Sequence, residues 1–414
     1  MIRYLTSGES HGEAIVGVVE GVPARLPLTP DDINTHLARR WLGYGRGGRS
    51  KIENDKVHIY SGVRFSETLG SPISFRIDNG AYEKDKAGWP EKMAVDGDGA
   101  GIEKVTLPRP GHADLAGLQK YEFEDIRPVI DRSSARETAM RVACCSVARR
   151  LLNEFGITVG SHVVRIGDVG FDEPEDWVER RNALLRDGGA RALYEAADES
   201  ATRMLDDDMT ERCIEHIEDT KKQRDSLGGI YEVVVTGVPP GLGSYVHWDR
   251  RLDGQLVQAI CSIQAQKAAE VGDGVRNAHR PGSKVHDPII HGDERDVSTG
   301  PYARRRNHAG GIEGGTTNGM PIIVRGYMKP IPTLIKPLDS VDTETDEAQP
   351  TRYERSDITS VPAASTVAEA TVAYTIANAF LEKYGGDSLP AIRRHWEADE
   401  EARTGETNRP DDAG

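Results

Sequence analysis

Two segments of the chain have nearly the same sequence, and this similarity constrains the fold more than any other feature. Residues 18–23 read Val-Val-Glu-Gly-Val-Pro, and residues 234–239 read Val-Val-Thr-Gly-Val-Pro. Each is a β-branched run closed by glycine and proline, which is typical of a strand that ends in a turn. The similarity favours two related halves. The alternative is that this is simply a common way to end a strand.

Three further features follow each segment in the same order. They are a predicted helix (31–41 and 253–271), a His-Ala pair (112–113 and 308–309) and a capping box (Ser134-x-x-Glu137 and Thr366-x-x-Glu369). In a capping box, a hydroxyl and a carboxylate accept hydrogen bonds from backbone amides at the start of a helix. We therefore predict one domain over residues 1–395, with halves of roughly 1–222 and 223–395 that insertions interrupt.

The composition indicates a globular protein. Hydrophobic residues make up 37% of 414 residues, enough to bury a core, and the net charge of -15 disfavours binding to nucleic acid or to an acidic membrane. The chain has neither a run of 18 apolar residues nor an N-terminal signal pattern, so we expect no membrane span and no secretion. Its four cysteines lack C-x-x-C spacing, which fits a reducing cytoplasm.

Three polar segments are predicted to lie at the surface. We expect a long loop over 81–105, exposed helices of an insertion over 172–222, and a disordered tail over 396–414, because each is rich in charged residues or glycine and poor in apolar ones. These segments carry much of the negative charge. A locally basic cavity elsewhere is therefore compatible with an acidic chain.

Residues 8–12 read Gly-Glu-Ser-His-Gly and match the nucleophile-elbow pattern of serine hydrolases, with Ser10 as the nucleophile. An elbow needs a preceding strand and a following helix. Only seven residues precede Gly8, and the β-branched run over 14–19 predicts a buried strand instead. His11 is therefore the better candidate, and a hydrolase that uses Ser10 is the alternative.

Arginines cluster with glycines over residues 39–49, at Arg39, Arg40, Arg46 and Arg49. Gly43, Gly45 and Gly48 match G-x-G-x-x-G, but a dinucleotide fingerprint must follow a strand, and here a helix precedes. We interpret the segment as a flexible loop whose guanidinium groups bind phosphate or carboxylate. A merely solvated basic loop is the alternative.

Residues 131–138 read Asp-Arg-Ser-Ser-Ala-Arg-Glu-Thr and begin a predicted helix that runs to Gly156. Its positive dipole end would lie at Ser133 and Ser134, between Arg132 and Arg136, which predicts an anion site.

Other candidates lie in predicted loops, namely His112 in Arg-Pro-Gly-His-Ala-Asp, the segment 329–333, Asp357 in Arg-Ser-Asp, and the glycine-rich segment 308–317, which either wraps a ligand or forms a tight turn. The remaining histidines, such as His286, lack metal-ligand spacing, so we expect no metal.

Taken together, these motifs resemble the chorismate synthase family in both sequence and order, from residue 1 to about residue 390. One departure is Asp131, where the family commonly has glutamate. The resemblance implies an α+β fold, a β-α-β sandwich with two pseudo-repeated halves, that assembles as a homotetramer. It also implies a 1,4-anti elimination of phosphate from 5-enolpyruvylshikimate 3-phosphate to give chorismate, with reduced FMN required. A noncatalytic anion-binding module is a further alternative.

The resemblance also implies roles for individual residues. His11 would protonate the leaving phosphate, His112 would stand near N1 of the flavin, and Asp357 would take a proton from its N5. Arg40 and Arg46 match positions for NADP phosphate but could equally serve the substrate, and NADPH is an open candidate for the reductant. The positions that match FMN contacts are Arg132, Ser133, Ser134, Gln264, Ala265, Gly314, Lys329, Pro330, Ile331, Pro332, Thr333 and Arg355. Our candidates for holding the substrate are Ser10, Arg49 and Arg136.

Overall fold

The computed structural model describes residues 1–45, 55–84, 87–171, 175–295, 297–351 and 357–404. The strands are β1 (Arg3–Ser7), β2 (Ala14–Glu20), β3 (His58–Ile59), β4 (Val63–Arg64), β5 (Glu67–Thr68), β6 (Ile73–Asp78), β7 (Thr158–Ile166), β8 (Val169–Gly170), β9 (Gly229–Thr236), β10 (Gln266–Val271), β11 (Ile289–His291), β12 (Tyr302–Arg304), β13 (Ile312–Glu313), β14 (Thr316–Thr317), β15 (Ile322–Met328), β16 (Asp339–Val341) and β17 (Ala348–Pro350). The helices are α1 (Pro30–Arg39), α2 (Ala81–Lys84), α3 (Trp89–Lys92), α4 (Asp114–Tyr121), α5 (Arg127–Ser133), α6 (Glu137–Asn153), α7 (Glu175–Glu199), α8 (Asp207–Lys222), α9 (Leu252–Cys261), α10 (Gly274–Asn277), α11 (Gly282–Val285), α12 (Val361–Tyr384) and α13 (Leu389–Thr404).

Two antiparallel sheets enclose a layer of helices. The first sheet has the order β1-β2-β6-β3, and the second has the order β10-β15-β9-β7-β8. Helix α6 packs on the first sheet and against α1 and α12, whereas α9 and α12 pack on the second sheet. Because α12 contacts α6, α9 and the strands β7 and β9, it is buried along nearly its whole length. The predicted α+β sandwich is confirmed. None of the helices in the described ranges is long and apolar enough to cross a membrane.

The outer faces of the two sheets differ. The strand predicted over 14–19 is confirmed as β2, but only alternate residues are buried, and Val16 and Val18 are exposed together with Leu5 of β1. In contrast, α7 packs on the outer face of the second sheet, over β7. The prediction of exposed helices over 172–222 is therefore wrong in part, because this segment buries Leu185 and Leu193.

The two similar segments take equivalent places in the two sheets. Each ends a central strand, β2 or β9, at a glycine with positive φ, 75° at Gly21 and 79° at Gly237. A Cβ atom would come within 2.1 Å of the Met1 carbonyl oxygen at Gly21 and within 2.2 Å of the Gly156 carbonyl oxygen at Gly237. Only glycine therefore suits both positions.

The turns that follow are also equivalent. The Thr68 hydroxyl donates to the Pro23 carbonyl oxygen at 2.6 Å, and the Thr317 hydroxyl donates to the Pro239 carbonyl oxygen at 2.7 Å. We infer two related halves in which β1, β2, β6 and β3 correspond to β7, β9, β15 and β10. Because β7 belongs to the second sheet, the strands divide between the two sheets near Gly156 and not at the predicted residue 222.

Several local predictions also need correction. Neither of the two predicted capping boxes forms, because α6 begins at Glu137 without a side-chain cap, and Thr366 lies inside α12. The segment 253–271 forms α9 and then β10, and the surface loop predicted over 81–105 contains α2 and α3. The tail predicted from 396 is helical as far as Thr404, since Trp396 packs against aromatic rings of α12. Residues 405–414 lie outside the described residues.

Candidate active site

The loop between β1 and β2 brings His11 onto a buried carboxylate of α5. The Nδ1 atom of His11 lies 2.5 Å from Asp131 Oδ1, and the Ser10 hydroxyl donates to the same oxygen at 2.7 Å. Burial alone would raise the pKa of Asp131, but the hydrogen bonds from His11 and Ser10 lower it below its usual value. The carboxylate is therefore ionised at neutral pH.

The same geometry argues against a serine hydrolase. In a catalytic triad the serine contacts one ring nitrogen of the histidine and the carboxylate contacts the other. Here the Ser10 hydroxyl and Asp131 both approach Nδ1 of His11. Ser10 is only 2% exposed and donates to Asp131, so its predicted contact with substrate is not supported. Its position indicates that it supports the carboxylate.

An aromatic ring that the sequence did not single out covers His11. Trp89 begins α3, is buried, and stacks on the imidazole with ring centroids 3.9 Å apart and planes 21° apart. The guanidinium group of Arg127 lies over the Trp89 ring, 5.3 Å from its centroid. Sequence spacing carries no signal for this contact, because it joins a segment predicted as surface loop to the β1–β2 loop.

His112 has a similar partner within its own turn. Its Nδ1 hydrogen-bonds to Asp114, whose side chain is fully buried. Asp114 also accepts from Arg109 Nε at 2.8 Å, and Arg109 in turn donates to Thr333 at 3.1 Å. Burial would raise the pKa of Asp114, but the hydrogen bonds from His112 and Arg109 lower it strongly. Both site histidines are therefore bonded to ionised carboxylates.

Two of the predicted arginines share a buried acid. Arg40 and Arg136 are 6% and 4% exposed, and both form ion pairs with Asp55. Arg40 also donates to Thr138 and to the Ala135 carbonyl oxygen. This geometry gives no support to direct contact between Arg40 and an NADP phosphate. Two guanidinium groups and one carboxylate leave a net positive charge, which suits a nearby anion.

The predicted anion site at Ser133 and Ser134 takes a different form. These residues join α5 to α6, the Ser133 hydroxyl donates to the Val129 carbonyl oxygen, and the Ser134 hydroxyl accepts from the Arg136 amide. Arg132 donates to backbone carbonyl oxygens of the β1–β2 region. The junction is thereby tied to the loop that carries His11.

Three of the other matched positions, Gln264, Ala265 and Lys329, are linked to this junction or to the His112 turn through hydrogen bonds. Gln264 donates to Glu137 at 3.2 Å, and its Oε1 atom is buried without a hydrogen-bond partner among the described residues. The Lys329 amide donates to the Ala265 carbonyl oxygen, and the Lys329 ammonium group donates to the Gly111 carbonyl oxygen. Burial, followed by the charge of Lys267, lowers the pKa of Lys329.

Asp357 lies at the same end of the second sheet as Lys329. Ser360 donates to Asp357 Oδ2 at 2.9 Å. The next residue, Ile358, accepts from the Leu227 amide, while Ser226 donates to the Ile331 carbonyl oxygen. The segments that carry His11, His112, Lys329 and Asp357 are thus connected through hydrogen bonds.

Gly314 does not join this group within one chain. Gly314 lies in the β13–β14 hairpin, which is hydrogen-bonded to the loop that follows the last residue of β9. Lys329 lies at the other end of β9, because it follows Met328, which pairs with the first residue of β9. A strand of eight residues spans roughly 26 Å, so Gly314 lies at the opposite end of the sheet. Arg46, Arg49 and Arg355 lie outside the described residues.

Two histidine–carboxylate pairs and buried arginines, held by a sandwich of two sheets, define an enzyme that acts on a small anionic molecule. The family model described as chorismate synthase matches residues 2–381. A chorismate synthase of Salinibacter ruber is 83% identical over 404 residues, 97% of this chain and 99% of that protein. One of Chlorobaculum tepidum is 51% identical over 398 residues, 96% of this chain and 97% of that protein.

A crystal structure of a chorismate synthase superposes with a TM-score of 0.76 at 38% identity and covers 97% of this chain and 98% of that one. The chain belongs to the chorismate synthase family. It is a lyase of the biosynthesis of aromatic amino acids. The resemblance stated from the motifs is thereby confirmed.

Proposed function

We propose that this site performs the 1,4-anti elimination that converts 5-enolpyruvylshikimate 3-phosphate to chorismate and phosphate. The observation that carries the proposal is the buried Asp131 that binds Nδ1 of His11. With Nδ1 occupied, His11 offers Nε2 to the leaving phosphate. The C–H bond at C6 breaks, a double bond forms between C6 and C1, the ring double bond between C1 and C2 moves to C2 and C3, and the C–O bond from C3 to phosphate breaks with its electron pair leaving on the phosphate.

The chain neutralises charge on the departing phosphate in two ways. His11 gives a proton to a phosphate oxygen, which improves the leaving group. The buried cluster of Arg40, Arg136 and Asp55 contributes net positive charge in a region of low dielectric, where it acts strongly. We propose that Arg49, and Arg46 if it does not serve NADP, complete the binding of the substrate's phosphate and two carboxylates.

The residues present fit the phosphorylated flavin that the family implies. Gln264 has a buried oxygen with no partner among the described residues, and Lys329 offers an ammonium group beside Ala265. We propose that these residues, with Ser133 and Ser134, hold reduced FMN. When bound, reduced FMN supplies the chemistry that removes the C6 hydrogen, which is not acidic enough for an ordinary side chain.

His112 and Asp357 would then serve the cofactor. Because Asp114 occupies Nδ1 of His112, this histidine holds or accepts a proton at Nε2. Asp357, bonded to Ser360, would accept a proton and leave the flavin ready for the substrate hydrogen. Gly314 is left out of the proposed site of a single chain because of its position.

The proposed reaction is tested by anaerobic turnover of the purified protein. With reduced FMN and 5-enolpyruvylshikimate 3-phosphate, we expect equal amounts of chorismate and phosphate to appear, and oxidised FMN serves as the control. Absence of product with fully reduced flavin would overturn the proposal.

Asp357→Ala tests the assigned proton acceptor. We expect turnover to fall about 100-fold, a typical loss for a general acid or base, while the affinity for reduced FMN and the thermal unfolding temperature stay near those of the native protein. Stopped-flow assays and flavin titration measure the two effects separately. A native rate would exclude the assigned role.

We also propose a cytoplasmic homotetramer, as the family resemblance implies. Light scattering coupled to size-exclusion chromatography gives the mass.

NADPH as the source of reduced flavin rests on Arg46 alone, because Arg40 is engaged inside the protein. Anaerobic incubation with NADPH and oxidised FMN, without a reductase, tests it by loss of flavin absorbance.

A further inference from the structure

In the reaction proposed above, Asp131 contacts His11 but takes part in no bond that forms or breaks. We propose that Asp131 is a positioning residue that keeps a hydrogen on Nδ1 of His11 and so makes Nε2 the atom that protonates the leaving phosphate. This inference rests on the proposed function and names the residue that orients its acid.

The tautomer follows from the chemistry of the contact. An ionised carboxylate can only accept a hydrogen bond, and Asp131 Oδ1 lies 2.5 Å from His11 Nδ1. Nδ1 must therefore carry a hydrogen. In a neutral imidazole only one nitrogen does so, which leaves a lone pair on Nε2. A proton taken from solvent then binds at Nε2. In the elimination the Nε2–H bond breaks, its electron pair stays on nitrogen, and an O–H bond forms on phosphate.

The imidazole is held in two perpendicular ways. Asp131 binds it in the plane of the ring, and Trp89 stacks on its face. Asp131 is fixed in turn, because the Ser10 hydroxyl donates to its side chain and the Ser10 amide donates to its carbonyl oxygen. The Asp131 side chain is fully buried, so water does not compete with His11 for its carboxylate. The loop that carries His11 is thus locked onto α5 at the reacting group.

If this buried carboxylate served only to stabilise the fold, we would expect both of its oxygens to accept hydrogen bonds. In this structure Oδ2 of Asp131 is buried, and no described residue hydrogen-bonds to it. A buried charge with an unused oxygen costs stability, and such residues are found where function requires them. The contact with His11 is the function that the geometry offers.

A double-mutant cycle tests the role. His11→Ala, Asp131→Asn and the double variant are compared with the native enzyme at saturating reduced FMN. We expect Asp131→Asn to lower kcat about 100-fold and to change KM by less than about threefold, because a misplaced acid affects the transition state more than binding. In the double variant the rate should equal that of His11→Ala within about twofold. Multiplicative losses would show that Asp131 acts independently of His11 and would overturn the inference.

Two further variants separate positioning from folding. Asp131→Glu keeps the charge and should restore kcat to within about tenfold of the native value, even if Asp131→Asn unfolds. Failure of this rescue in a folded protein would contradict the inference. Glu13→Gln is the matched control, because it removes the same charge from an exposed carboxylate of the β1–β2 loop that pairs with Arg76. It should leave kcat unchanged. If the native enzyme gives no turnover, the proposed reaction and the inference are both overturned. If the native enzyme is active and the losses of kcat in the two single variants multiply in the double variant, the inference alone is overturned.

Discussion

The two histidine–carboxylate pairs of the site are built in different ways. His112 and Asp114 are two residues apart and meet within one turn. His11 and Asp131 are 120 residues apart and meet only because the β1–β2 loop docks on α5. A local pair needs little loop closure, whereas a distant pair forms only after the chain between has folded. The distant pair therefore depends on the whole first half of the molecule.

The two carboxylates also differ in how fully they are bonded. Asp114 accepts from the Arg109 amide, from the Arg109 guanidinium group and from His112, so both of its oxygens are used. Among the described residues, Asp131 accepts hydrogen bonds through Oδ1 alone, from Ser10 and His11. This difference indicates that Asp114 anchors a turn and also orients a histidine, whereas Asp131 contributes mainly to catalysis.

The largest expected difference concerns the histidines themselves. His11→Ala should lower kcat about 100- to 10,000-fold and leave the affinity for reduced FMN nearly intact, because His11 acts on the substrate. His112→Ala should weaken binding of reduced FMN about tenfold as well as lowering kcat. Anaerobic flavin titration alongside single-turnover kinetics measures both. Equal loss of flavin affinity in the two variants would remove the distinction between the pairs.

A smaller difference is expected in stability. Asp114→Asn should lower the free energy of unfolding by about 1.5–3 kcal/mol, because buried donors of Arg109 lose a charged acceptor. Asp131→Asn should lower it by about 1 kcal/mol or less, since fewer bonds are lost. Denaturant unfolding at one fixed protein concentration provides the comparison, and a larger loss at Asp131 would reverse the assignment of anchor and positioning residue.

The smallest effect is the dependence of stability on pH. The pKa values of Asp114 and Asp131 lie below the usual value of about 3.9, so their contribution is present above about pH 4 and is lost as pH falls toward the folded-state pKa. Each asparagine variant should therefore show a shallower decline in unfolding temperature from pH 5 to pH 3. We expect the larger change for Asp114, whose pKa is lowered strongly, and calorimetry across this range checks it.

The sequence motifs named most of the residues of the proposed site, because each motif rests on local chemistry. The Pro-Gly turn places His112 beside Asp114, and β2 and β9 end in turns, as the similar segments predict, at glycines with positive φ. The prediction of two capping boxes was wrong, because α6 begins three residues after Ser134 and Thr366 is buried inside α12. Short polar patterns do not reveal whether a helix has already begun.

By itself, the sequence determined the family through its short motifs, and the family resemblance implied the α+β sandwich. Only the tertiary structure decided which carboxylate binds His11, which ring covers it and which acid joins Arg40 to Arg136. These contacts join residues far apart in the chain. No local pattern encodes such a contact, because it exists only when separate elements pack around a common core.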